Sequence, residues 1–238
     1  MSIRKRSLKG AAFFSASLFI TTALFSVEAS AQDTSSPFSF SGSATLTSDY
    51  RFRGLSLSDK DFAIQGGFNL NHESGFYLST WGSSIESFNG SELELDLYGG
   101  YAGNINSNLS YNVGFIAYLY PGSSGGTDYY ETYASISGSA DKFSWTLGTA
   151  YAFDQDNIGG TDNIYIYGNA SYPLTNSLSA SASLGFEDGA FGNEKWDWSL
   201  GLSYSFSKYS LSVSYIDTAN SGSNLGDAGV IASLSASF

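Results

Sequence analysis

The chain has 238 residues, of which 10 are basic and 22 acidic; 42% are hydrophobic, 16% aromatic, and none is cysteine. A formal charge of −12 leaves no basic surface for nucleic acid. The lack of cysteine excludes a disulfide framework or thiolate metal site, and a single histidine, His72, excludes a multi-histidine centre; no cofactor or metal is implied.

The first element is a leader. Arg4, Lys5, Arg6 and Lys9 precede an apolar stretch over residues 10–25, and Ala29-Ser30-Ala31 forms a small-x-small cleavage motif before Gln32. This is the order of a secretory signal peptide. The stretch is short for a membrane helix, although an uncleaved N-terminal anchor is the alternative. The chain thus divides into a signal peptide over 1–31, an N-terminal periplasmic segment over 32–43 and a barrel domain over 44–238. The 207 residues from Gln32 to Phe238 hold 6 basic and 21 acidic residues, a formal charge of −15. That much acid belongs on loops or in a water-filled space, where it favours cations.

From residue 44 onward, apolar and polar residues alternate with a period of two. Stretches of about ten such residues are strands with one apolar and one polar face. Twelve are expected, at 44–53, 62–72, 75–84, 92–104, 109–120, 129–140, 143–154, 162–173, 178–187, 196–206, 209–218 and 228–238. In Leu93-Glu94-Leu95-Asp96-Leu97 the leucines face one way and the acids the other. Burying that acid-bearing face in a soluble core is costly. Leu109, Tyr111, Val113, Phe115, Ala117 and Leu119 form a second stripe, and Trp196, Trp198, Leu200, Leu202, Tyr204 and Phe206 another.

The links near 73–74, 105–108, 141–142, 174–177 and 207–208 are short. Those near 54–61, 85–91, 121–128, 155–161, 188–195 and 219–227 are longer and polar. Such alternation of periplasmic turns and outer loops marks a transmembrane barrel. Backbone groups left open in hydrocarbon are prohibitive, so the sheet must close. The fold class expected is all-β: an up-and-down antiparallel transmembrane β-barrel of 12 strands, with ten or fourteen as alternatives. Tyr50, Phe52, Phe76, Tyr118, Tyr120, Tyr129, Phe153, Phe186, Trp196 and Tyr209 near strand ends suit aromatic girdles at the lipid headgroups. The last strand ends in Phe238, resembling the C-terminal signal read by the outer-membrane assembly machinery. A secreted β-sandwich or lipid-carrier-like barrel is the soluble rival.

Residues that carry function are sought on the polar faces. On the first strand Leu46, Ser48, Tyr50 and Phe52 are expected outward, and Thr45, Thr47, Asp49, Arg51 and Arg53 inward. Glu92, Glu94, Asp96, Glu131 and Glu187 are expected to face the same lumen. Arginines on one wall and carboxylates opposite make a transverse field that selects small polar or ionic solutes. The alternative is that the charges pair and seal the lumen, leaving a structural or surface-interaction barrel. A membrane lipid hydrolase is a distant reading, since His72 lies in a predicted periplasmic turn, away from the outer leaflet.

Thr45-Leu46-Thr47-Ser48-Asp49-Tyr50-Arg51-Phe52-Arg53-Gly54-Leu55-Ser56 resembles the opening of the bacterial TorF family of porin-like proteins, first catalogued as conserved proteins of unknown function. Gly75-Phe76-Tyr77-Leu78-Ser79-Thr80-Trp81-Gly82-Ser83-Ser84, Glu94-Leu95-Asp96-Leu97-Tyr98-Gly99-Gly100-Tyr101 and Glu131-Thr132-Tyr133 resemble later segments of that family. The resemblance implies a barrel in the outer-membrane lipid. It marks Asp49, Arg51, Arg53, Gly54, Trp81, Glu94, Asp96 and Glu131. Gly54 is expected to turn the chain sharply out of the first strand, and Trp81, off the simplest outward stripe, to point into the lumen.

Overall fold

The computed structural model describes residues 36–238. The expected leader, and residues 32–35 of the segment after it, lie outside them. The strands are β1 (Phe38–Thr47), β2 (Arg51–Phe52), β3 (Leu55–Ser56), β4 (Ala63–His72), β5 (Phe76–Phe88), β6 (Ser91–Asn104), β7 (Leu109–Leu119), β8 (Tyr129–Ala140), β9 (Phe143–Gln155), β10 (Thr161–Pro173), β11 (Leu178–Gly189), β12 (Gly192–Phe206), β13 (Tyr209–Ala219) and β14 (Gly229–Ser237). Twelve of them, β1 and β4 to β14, form one closed antiparallel barrel; β2 and β3 form a separate two-stranded hairpin.

Closure is made between β1 and β14, from Ser43 opposite Ser237 to Thr47 opposite Ser233. The last residue takes part: the Gly42 N–H donates to the Phe238 carbonyl at 2.7 Å, and the Phe238 N–H donates to the Gly42 carbonyl at 3.0 Å. No sheet edge is left among these strands, as a hydrocarbon surrounding requires.

The alternation sorts side chains as the sequence predicts. Ile64, Leu78, Leu147 and Leu200 are 71%, 63%, 61% and 56% exposed on the outer surface. Their strand neighbours Gln65, Tyr77 and Ser79 are buried inside. So large an exposed apolar area is a liability in water and a requirement in lipid. The buried aromatic clusters lie within the barrel: Ile116, Tyr118, Tyr120 and Tyr129 in one, Tyr50, Ala63 and Trp81 in the other, with Phe52 packed on both.

Three expectations are corrected. β1 begins at Phe38, so residues 38–43 belong to the barrel wall, and it ends at Thr47 instead of running on to residue 53. The loops expected at 85–91 and 188–195 are mostly strand. β5 turns into β6 through Asn89 and Gly90 alone, with φ of 51° and 94°, the left-handed pair of a tight hairpin turn. β11 passes into β12 through Ala190 and Phe191. Finally, Phe76, Phe153, Trp196 and Tyr209 are exposed as girdle residues should be, but Tyr50, Tyr118, Tyr120 and Tyr129 are buried inside the barrel.

Candidate functional site: a lumen occupied by the first loop

The segment between β1 and β4 folds into the barrel. At its tip Arg53 and Gly54 take φ of 47° and 83°, closing the β2–β3 hairpin with Phe52 opposite Leu55. Glycine is needed twice at this tip: for the positive φ, and because a Cβ on Gly54 would stand 2.1 Å from Thr218 Oγ1 and 2.7 Å from Asp197 Cβ. The hairpin therefore presses against β12 and β13. Asp49 organises its base. One carboxylate oxygen accepts from Ser56 Oγ at 2.6 Å and Ser58 Oγ at 3.3 Å, and the other accepts from Arg51 Nε at 2.6 Å.

Arg53 pins the hairpin to two strands. Its guanidinium donates to Glu131 of β8 at 2.6 Å and to Glu187 of β11 at 2.7 Å. It also stacks 4.6 Å from the ring centroids of Phe52 and Tyr165. Arginine suits this place because its planar fork satisfies two carboxylates while its faces meet rings. Glu187 further accepts from Lys195 of β12 and, at 3.0 Å, from Asn163 Nδ2 of β10. Arg51 reaches another way: its Nη1 donates to the carbonyls of Gly54 at 3.1 Å, Leu225 at 2.8 Å and Asp227 at 3.1 Å, tying the hairpin to the loop before β14.

On a further side lies an acid and tyrosine wall. Glu94 accepts from Tyr50 OH at 2.6 Å and from Tyr120 OH at 3.0 Å. Tyr118 OH donates to Glu131 at 3.2 Å. Trp81 is buried, with its ring 5.3 Å from that of Tyr50, so it does face the lumen as expected. Asp96, cross-strand from Trp81, is buried with one carboxylate oxygen lacking a hydrogen-bond partner. Six acids (Asp49, Glu94, Asp96, Glu131, Glu187, Asp197) and three bases (Arg51, Arg53, Lys195) are buried among the described residues. The interior is therefore net acidic.

The opposite wall is built of hydroxyls. A cavity of about 90 Å³ runs beside the hairpin, lined on this side by Ser183, Ser199, Ser212, Ser214, Ser233 and Ser235 and reaching Thr45, Asp49, Arg51, Arg53 and Asp197. The hydroxyls bond to one another: Ser183 with Ser199 at 2.7 Å, Thr45 with Ser235 at 2.8 Å, and Ser233 Oγ to Thr47 Oγ1 at 2.9 Å.

The structure brings together Asp49, Arg51, Arg53, Trp81, Glu94, Asp96, Glu131 and Glu187, all buried within the barrel. It departs from the sequence reading in three respects. Glu92 is exposed at the outer end of β6, where Ser91 takes the buried position by donating to the Pro121 carbonyl at 2.8 Å. The arginines are not part of a wall facing carboxylates across an open lumen; they arrive on an inserted hairpin and bond to those carboxylates or to backbone. Tyr50, expected outward, turns inward because the chain has left the wall before it. Lys195, Asp197, Asn163 and Tyr165 were missed. Asp197 lies within the expected strand 196–206, on the face opposite Trp196, Trp198 and Leu200, and Lys195 continues the same period-two spacing one residue upstream of that strand. His72 Nδ1 lies 2.7 Å from Ser74 Oγ and accepts the Ser74 N–H at 3.2 Å, which closes the β4–β5 turn.

A closed twelve-stranded barrel, apolar outside, polar inside and narrowed by an inserted hairpin, defines a transmembrane β-barrel of the porin type. The chain belongs to the family described as "Bacterial protein of unknown function (Gcw_chp)", whose model matches residues 31–238. No curated protein matches it. Among solved structures it is similar to one described as "KdgM porin", with 15% identity, a TM-score of 0.61, and 83% of this chain and 99% of that chain covered. It is also similar to a protein from a study of the in-meso crystallization of membrane proteins, with 10% identity, a TM-score of 0.55, and coverage of 84% and 83%. At such identities the likeness is one of fold.

Proposed function

We propose that the protein is a porin-like channel of the bacterial outer membrane, through which small polar or charged solutes diffuse passively. The observation that carries this reading is the polar cavity left between the inserted hairpin and the serine wall, inside a barrel whose outer surface suits lipid. Hydroxyls and a net acidic interior give water and cations a favourable passage. The likeness in fold to a porin agrees with this. In this reading Phe238, hydrogen-bonded to Gly42 at the closing seam, also serves as the signal for the outer-membrane assembly machinery. The reading includes no catalysis: His72 serves a turn.

One observation favours a second reading. Arg53 is held by two carboxylates and Arg51 by three carbonyls, so the hairpin is firmly seated and would seal a lumen this narrow. The two readings separate in planar bilayers. Discrete conductance steps from refolded barrels, with cation preference in a salt gradient, support the channel. Silence from barrels of verified fold leaves the sealed structural barrel.

A further inference from the structure

We propose that the cavity between the hairpin and the serine wall is a binding site for one hard monovalent cation, with Asp197 as its anionic ligand. Asp197 is 3% exposed and lines this cavity. One of its carboxylate oxygens accepts from Tyr165 OH at 3.2 Å, and the other, Oδ2, has no hydrogen-bond partner. Among the described residues no cation lies within ion-pair distance of it: Arg53 is engaged by Glu131 and Glu187, Lys195 by Glu187, and Arg51 by Asp49. A buried carboxylate with one oxygen left without a partner is costly, so a small cation entering the cavity gains what the fold leaves unsatisfied.

The donor set selects the ion. Beside Asp197 the cavity presents the hydroxyl oxygens of Ser199, two residues on along the same strand, and of its cross-strand partner Ser183, with Ser214 and Ser212 farther along the same wall. Each hydroxyl keeps acceptor capacity after donating its proton to a neighbour, as within the Ser183–Ser199 pair. These are hard oxygen donors, without the imidazole or thiolate that draws transition metals. Among the described residues no group of three or more His, Cys, Asp or Glu side chains is placed to hold a metal ion. One unpartnered carboxylate oxygen beside neutral hydroxyls matches a single positive charge, whereas calcium sites draw on several carboxylate and carbonyl oxygens. A volume of about 90 Å³ holds such an ion with a few waters. Asp49, the other acid lining the cavity, does not compete, since Arg51, Ser56 and Ser58 occupy both its oxygens. The inference goes beyond the channel reading, because a site of this kind fills from one side even in a barrel that does not conduct.

Thallium(I), a heavy monovalent cation, is the probe. Crystals of the protein soaked in thallium(I) acetate are expected to give an anomalous peak in the cavity, in direct contact with the Asp197 carboxylate. The peak is expected to vanish in Asp197→Asn, which keeps an acceptor for Tyr165, and to weaken in Ser199→Ala, which tests the site should the first variant not fold. A wild-type cavity without thallium overturns the proposal, and an undiminished peak in Asp197→Asn overturns the assignment of Asp197. Bilayer recordings on the same wild-type preparation keep the two proposals apart. A silent barrel that binds thallium contradicts the channel and leaves the site standing, and a conducting barrel without a peak does the reverse.

Discussion

Arg53 and Glu131, 78 positions apart in the chain, meet at 2.6 Å inside the barrel with both side chains almost fully buried. The contact joins the tip of the first loop to β8. It holds the hairpin where it narrows the lumen. Removing one partner of a buried pair strands the other, which costs about 3–5 kcal/mol. Arg53→Met is therefore expected to lower stability by about that much in urea unfolding from detergent micelles. Glu131→Gln costs less, because Arg53 keeps Glu187 and the amide keeps an acceptor. A double-mutant cycle between the two positions is expected to give a coupling of about 0.5–3 kcal/mol, and additivity would contradict a direct pair.

Gly54→Ala places a methyl group against Thr218 and Asp197 at a positive φ. Strain of this kind costs about 1–3 kcal/mol. The variant is expected to loosen the hairpin's seat while leaving the barrel closed, so hydrogen exchange of Leu57 N–H, which donates to the Tyr50 carbonyl at 2.8 Å, is expected to speed up more than that of β12 amides. Uniform acceleration throughout would place the glycine's role in the barrel wall instead.

The barrel was legible because a membrane barrel enforces period two on every strand, and Leu93 to Leu97 or Leu109 to Leu119 obey it. The inserted hairpin was not, for a related reason. Thr45, Thr47, Asp49, Arg51 and Arg53 alternate with Leu46, Ser48, Tyr50 and Phe52 as if one strand ran through them. Alternation records that one face is polar, not which sheet the strand joins, and Arg51–Phe52 is indeed a strand, of a different sheet. The inward tyrosines were hidden likewise. Tyr118 and Tyr129 read as girdle residues by position near the strand ends, although alternation along β7 sets Tyr118 opposite the Leu109–Leu119 stripe; inside, Tyr118 stacks on Tyr129 and meets Phe52 of the first loop.

The outer face of β12 is expected to lie in hydrocarbon. Leu200→Arg, near the middle of that strand, is expected to destabilise the barrel in lipid by about 2–4 kcal/mol. Equilibrium unfolding from bilayers measures it. A change within the error of the measurement would show that this face meets water.

The chain has no cysteine, so single cysteines report their surroundings without interference. Ser212→Cys on the cavity wall is expected to react with a water-soluble cationic methanethiosulfonate in the folded, membrane-embedded protein, and faster than with an anionic reagent of similar size. Leu211→Cys, exposed on the outer surface, is expected to be shielded by lipid and to resist both. The reverse pattern would invert the assignment of inside and outside.

Deleting Phe238 removes the ring that packs 6.1 Å from Phe68 and both hydrogen bonds to Gly42 at the closing seam. The truncated chain is expected to insert poorly into membranes. Heat-modifiable mobility of membrane fractions measures this, and wild-type yield would argue that the seam closes without its last residue.

The central claim is that water and ions pass beside the hairpin through an acidic, hydroxyl-lined lumen. Single-channel recording of the refolded barrel in a planar bilayer, under a salt gradient, tests it most directly, with wild type and Arg53→Met compared side by side. The account predicts small cation-selective steps from wild type and larger or noisier ones from Arg53→Met, whose hairpin has lost its anchor. Silence from both proteins, each shown to be folded, would contradict it.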